Sequence, residues 1–214
     1  QNGTGYPLIV NTENYSVGGG IYISNSNPVL TNLIIRNNSA EFAGVGIYLS
    51  SSNALISDVL IDFNEVVLDL GESGSGSGGG IHITNGDPEI RNIIVSRNTA
   101  TNIGGGIYIS GLNLLLKNVT ISKNVAGNAG GGVFVNASNL TIINSILWQD
   151  YPNEIYSRTE TGITDILTID YSNIQFGENN ILDSGEGDVS LEWGLGNIDI
   201  DPQFCDIKAG NFAI

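Results

Sequence analysis

Residues 18–24 read GGGIYIS, and close variants of that phrase return as GVGIYLS at 44–50, GGGIHIT at 78–84, GGGIYIS at 104–110 and GGGVFVN at 130–136. The steps between them are 26, 34, 26 and 26 residues. The long step carries an insertion near 66–77, around the run GESGSGSG at 71–78. A fixed period of this size, filled with short β-type stretches, marks a repeat architecture in which each unit buries its apolar face against its neighbours.

Residues 18–43 serve as the reference turn. Ile21 and Ile23 alternate with Tyr22, and two more short alternating stretches run through Leu30 and through Leu33 and Ile35. Alternation at period two is the strand signal. Three strands per coil of about 26 residues predict three flat walls. The expected fold is therefore all-β, a right-handed parallel β-helix solenoid with ladder bonds about 4.8 Å apart between coils. Aligned coils keep apolar columns: Ile21, Ile47, Ile81, Ile107 and Val133 on the first wall, and Leu30, Ile56, Ile90, Leu116 and Ile142 on the second. Ile35, Ile61, Val95, Ile121 and Leu147 form a third. β-Branched residues suit such pleated walls.

Three further columns are mostly asparagine: Asn27, Asn53, Asp87, Asn113, Asn139; Asn32, Asp58, Asn92, Asn118, Asn144; and Asn38, Asn64, Asn98, Asn124, Asp150. Asn tolerates left-handed backbone at a tight bend. Its amide also bonds the equivalent amide of the next coil. These columns follow the corners and are read as structural. Residues 1–17 read as the end of an upstream coil and 18–155 as five regular coils. Residues 156–214 read as an irregular final coil and terminal segment of the same domain, with Asn173 extending the second Asn column. The chain contains no methionine, so it does not open on a start codon, and its expected setting is a larger polypeptide.

The chain is 41% hydrophobic and 14% charged, which supports a packed core. Its net charge is −15 with seven basic residues. No Lys/Arg patch large enough for nucleic acid or an anionic membrane surface follows from that composition. No run approaches a transmembrane helix, so no membrane insertion is expected. Cys205 is the single cysteine, which excludes an internal disulfide.

GGGIYI followed by N-x-x-I-x-x-N-x-A resembles the pectate-lyase-like superfamily of right-handed β-helices and the repeats of bacterial polymorphic outer-membrane proteins. NSILWQ (144–149), NEIY (153–156), YSNIQ (171–175) and GNIDIDPQF (196–204) together resemble the choice-of-anchor Q proteins of bacterial surfaces. That resemblance implies an extracellular or bacterial cell-surface protein, secreted or anchored, often multidomain.

On the outside of the coils, Tyr22, Tyr48, His82, Tyr108 and Phe134 line up. They read either as an aromatic strip for sugar rings or as like side chains stacking along a parallel sheet. Ile34, Leu60, Ile94, Thr120 and Ile146 form an apolar stripe, which a loop, a domain or a partner normally covers. The insertion is placed to cover part of it. Arg36 and Asp62 read as an exposed ion pair of little weight. A polysaccharide lyase needs a strong base beside a group that neutralises the uronate carboxylate. Glu89, Arg91 and Lys117 come nearest to that set. Asp183, Glu186, Asp188, Asp199 and Asp201 cluster in sequence in or near a Gly-rich loop and are the candidate ligands for Ca2+. The combined expectation is a non-catalytic surface or secreted module, a rigid stalk or adhesin that touches polysaccharide or surface proteins. The alternative is a polysaccharide lyase or glycoside hydrolase on the same scaffold.

Overall fold

The computed structural model describes residues 6–10, 13–67, 76–184 and 187–205. They form a parallel β-solenoid. The first wall stacks seven strands, beginning Ile21–Ser24, Ile47–Ser50 and Ile81–Thr84 and ending Ile155–Arg158 and Ile181–Asp183. Its register pairs Ile21 with Ile47, Ile47 with Ile81, Ile81 with Ile107 and Ile107 with Val133, as the spacing predicts. Leu30, Ile56, Ile90, Leu116 and Ile142 are likewise partners in sequence. These columns fill the interior, where Ile47, Ile81, Ile107 and Val133 are fully buried. Burying each aliphatic side chain contributes roughly 1.5–3 kcal/mol, and no coil achieves it alone.

The walls divide differently from the expectation. The stretches through Leu30 and through Ile35 belong to one sheet, and in the first three coils they are one strand each: Val29–Arg36, Leu55–Asp62 and Glu89–Ser96. That strand bends at Asn32, Asp58 and Asn92, whose φ values are 54°, 57° and 52°. The true third wall is a short ladder of Ser39–Ala40, Glu65–Val66, Thr99–Ala100 and Val125–Ala126.

Each complete coil turns at four left-handed positions, to which the third coil adds Gly86. In the second coil they are Gly44, Ser51, Asp58 and Phe63, with φ of 59°, 51°, 57° and 53°. Only the second asparagine column therefore sits at left-handed positions. At the first column the left-handed residue lies two positions earlier (Asn25, Ser51, Asn85), and at the third it lies one earlier (Asn37, Phe63, Arg97). The third column is instead a buried amide ladder. Asn38 Nδ2 donates to Asn64 Oδ1 at 2.8 Å, and Asn64 to Asn98, Asn98 to Asn124 and Asn124 to Asp150 at 2.9 Å each.

The strands Tyr6–Val10 and Glu13–Val17 do not stack as a coil wall. Tyr6–Val10 pairs antiparallel with Glu13–Val17, since parallel pairing of strands so close in sequence would need a long crossover. Val17 then joins the stack by bridging to Ala43. Beyond 155 the solenoid continues. Thr164–Asp170 pairs with Asn139–Ile143, and Asp188–Trp193 pairs with Thr164–Asp170. Tyr171, with φ 49°, takes the place expected for Asn173. Asn173 pairs with Ile146 and donates from Nδ2 to the Ile200 carbonyl at 2.7 Å. No helix among the described residues is long and apolar enough to cross a membrane.

Candidate functional site

The aromatic column is continuous and one ring longer than the sequence reading. Tyr22, Tyr48, His82, Tyr108, Phe134 and Tyr156 stack with centroids 5.4, 4.9, 4.4, 5.7 and 5.4 Å apart and interplanar angles no larger than 18°. Register alone would have found Tyr156, since Phe134 and Tyr156 are ladder partners. The column is covered through its middle. His82, Tyr108 and Phe134 are 4%, 5% and 2% exposed, so sugar rings do not reach them.

The covering follows from the first glycine of each triad. Gly44, Gly104 and Gly130 are left-handed and lie against the ring residue four positions on. A Cβ there would stand 2.8, 2.9 and 2.8 Å from the Cβ of Tyr48, Tyr108 and Phe134. That bend brings Ile103 and Ala129 onto the rings of Tyr108 and Phe134. At His82 the covering residue is Ser77, whose hydroxyl lies 2.9 Å from Nδ1. Burial pushes the His82 imidazole down to about 3, so it is neutral at ordinary pH and serves the stack. Arg158 lies over the fifth ring, with its guanidinium 5.4 Å from the Phe134 centroid.

Glu89, Arg91 and Lys117 share one wall, and Arg91 and Lys117 are ladder partners. Arg91 Nε donates to Glu89 Oε1 at 2.8 Å, and Glu89 and Lys117 are exposed. The acid and the base nearest to a lyase set therefore neutralise each other on an open face. A hollow of about 380 Å³ beside Glu89 is lined by Asp87, Asn113, Leu115 and Thr141, not by Arg91 or Lys117.

The acidic candidates do not come together. Asp183 ends a first-wall strand opposite Ser157, Asp188 opens a second-wall strand opposite Thr164, and Asp199 and Asp201 lie in the terminal segment. Glu186 lies outside the described residues. Among the described residues no three His, Cys, Asp or Glu side chains assemble as metal ligands.

The Arg36–Asp62 pair differs from its reading. Asp62 is 1% exposed and is held in bidentate fashion by Arg97, Nε to Oδ1 and Nη2 to Oδ2 at 2.8 Å each. Ser96 Oγ donates to it at 2.9 Å, and Arg36 stands at 3.5 Å. The Phe63 ring lies between the two guanidiniums, 5.8 Å from Arg36 and 4.2 Å from Arg97. The 34-residue step hides this arrangement, since Arg97 reaches Asp62 from 35 residues away.

The apolar stripe is covered over its later coils, by the terminal segment. Phe204 packs on Trp148, with Ile94 and Ile146 beside them. At the other end Ile34 is 63% exposed, and a hollow of about 420 Å³ between Ile34, Leu60 and Ile94 stays open. Residues 68–75, the centre of the insertion expected to cover the stripe, lie outside the described residues.

Three stacked walls, left-handed corners and internal ladders define the class: a parallel β-solenoid with like side chains stacked in rows along its axis. Residues 2–155 match the family model described as right handed beta helix region, and the chain belongs to that family. No curated protein and no solved structure matches it.

Proposed function

We propose that this chain is a non-catalytic β-helix module of a secreted or surface-anchored bacterial protein, a rigid stalk or adhesive segment akin to the choice-of-anchor Q proteins. One observation carries the reading. Like residues are linked from coil to coil along the axis, by six stacked rings outside the coils and by an amide ladder inside. Such rows resist bending and shear between coils, which is what a spacer under load needs. Glu89 and Arg91 pair with each other on an open face, which speaks against either as the working group of a lyase or hydrolase.

Assays of the full chain against uronate and neutral polysaccharides, with and without calcium, test it together with a glycan array. The module reading expects no turnover in any of them, with or without glycan retention. Turnover that disappears on substituting Glu89 or Lys117 would overturn it.

A further inference from the structure

The buried amide ladder has a direction. At each rung the backbone N–H and the side-chain Nδ2 both donate to Oδ1 of the next rung. Asn98 does so to Asn124 at 3.0 and 2.9 Å, and Asn124 to Asp150 at 2.6 and 2.9 Å. Nδ2 of Asn64, Asn98 and Asn124 also donates to a carbonyl of an earlier coil. The ladder therefore calls for a donor at the outer atom of every rung.

Asp150 breaks that rule. A Cβ built on the last glycine of each triad stands 2.9, 3.2, 3.0 and 3.1 Å from Nδ2 of Asn38, Asn64, Asn98 and Asn124, and 3.0 Å from Oδ2 of Asp150. Oδ2 thus fills the place of a donor nitrogen, is buried, and has no partner. The next coil has no asparagine at this level. Its counterpart of Gly132 is Glu154, since Val133 pairs with Ile155. Glu154 is fully buried, and its Oε1 accepts from the backbone N–H of Asp150 at 3.2 Å, the bond that Oδ1 makes at every earlier rung. Its Oε2, like Asp150 Oδ2, is buried without a partner. Two carboxyls close a ladder that needs one more donor, and a proton on one of them supplies it as an O–H.

We propose that Asp150 and Glu154 form the terminal rung as a carboxylic acid–carboxylate pair sharing one buried proton at neutral pH, and that this proton makes the solenoid less stable as the medium turns alkaline. Burial raises both carboxyls above the ordinary range, and the Asp150 charge raises Glu154 further. The groups facing the pair are uncharged: the Asn124 amide and Gly132. Of the ionisable groups on the neighbouring strands and corners, Tyr156 belongs to the ring stack and Arg158 lies over Phe134. Tyr151 is exposed and Lys123 half-buried at a left-handed corner.

The folded chain keeps a proton that the unfolded chain, with ordinary carboxyls near pH 4, has released at neutral pH. Stability is whole below that range and declines as pH rises, because the native state binds more protons than the unfolded one.

Two measurements on the full chain test this. At about pH 8, where exposed carboxyls are ionised, the infrared spectrum should retain the carbonyl stretch of a protonated carboxyl, absent in Glu154→Gln. Between about pH 7 and 9 the wild-type melting temperature should fall by roughly 5 °C or more, whereas Glu154→Gln, whose amide supplies the donor permanently, should stay nearly flat. A wild-type spectrum without that band overturns the proposal even if the variant does not fold. So does a variant with the wild-type pH slope.

Discussion

Among single residues, His82 shows how a chemically eloquent side chain becomes scaffold. It stands in a column of tyrosine and phenylalanine, 4.9 Å from one tyrosine ring and 4.4 Å from the next. There its flat ring matters more than its basicity. Burial holds the imidazole at about 3, while an unfolded histidine titrates near 6.5. The native state thus refuses a proton that the unfolded state accepts. The contribution is complete above the unfolded value and is lost as pH falls toward 3, reaching on the order of 4 kcal/mol. His82→Phe keeps a stacking ring and cannot titrate. Its melting temperature should fall less than that of the wild type on acidification from about pH 7 to 4. At neutral pH it should cost about 1 kcal/mol, for the partner lost by Ser77 Oγ. Parallel acid profiles for the two proteins would exclude His82 as the group responsible.

At the level of the ladders and walls, burial separates rows that look alike in sequence. Asn98 Oδ1 accepts from Asn64 N–H and Nδ2, and its own amide donates to Asn124 and to the Ile61 carbonyl, all in the interior. Asn98→Ala strands these partners without water, and the loss should be on the order of 3 kcal/mol or more. Asn128 also donates to its counterpart one coil away, Asn102 Oδ1, at 2.7 Å, but it is exposed, so Asn128→Ala should cost under about 1 kcal/mol. Comparable urea midpoints for the two variants would contradict the distinction. Period and register were legible from the sequence because identical apolar residues must meet overhead, and every apolar column pairs as the spacing requires. The corners were less legible. The left-handed residues before the buried ladder include Phe63, Arg97, Lys123 and Gln149, none of which signals a turn by type. The site candidates were least legible, because a column position says which residues are neighbours but not what lies over them. Tyr108 and Phe134 belong to an outward column yet are buried by Ile103 and Ala129. Asp62 is taken by Arg97 across the long step.

For the whole molecule, the ladder of coils makes contacts between neighbours only, so its stability is a sum of adjacent interfaces. The terminal segment adds a link of another kind. It leaves the stack where Ile198 bridges to Asn173, then returns so that Phe204 lies on Trp148, with Ile94 and Ile146 beside them. One aromatic thus ties the last coil to strands that are separated along the axis, and covers the later part of a stripe whose early part stays open at Ile34. Phe204→Ala removes that tie, at a cost of about 3 kcal/mol for a buried phenylalanine. Trp148 is 8% exposed and shares the chain with one other tryptophan, Trp193. In a Trp193→Phe background, emission therefore reports Trp148 alone. Phe204→Ala should shift that emission to the red, make residues 196–205 more open to protease, and broaden the unfolding transition as the last coils melt ahead of the first. An unshifted spectrum with an unchanged melt would mean that the segment rests on the wall without fastening it, and that the coils' own ladders bear any load passed along the axis.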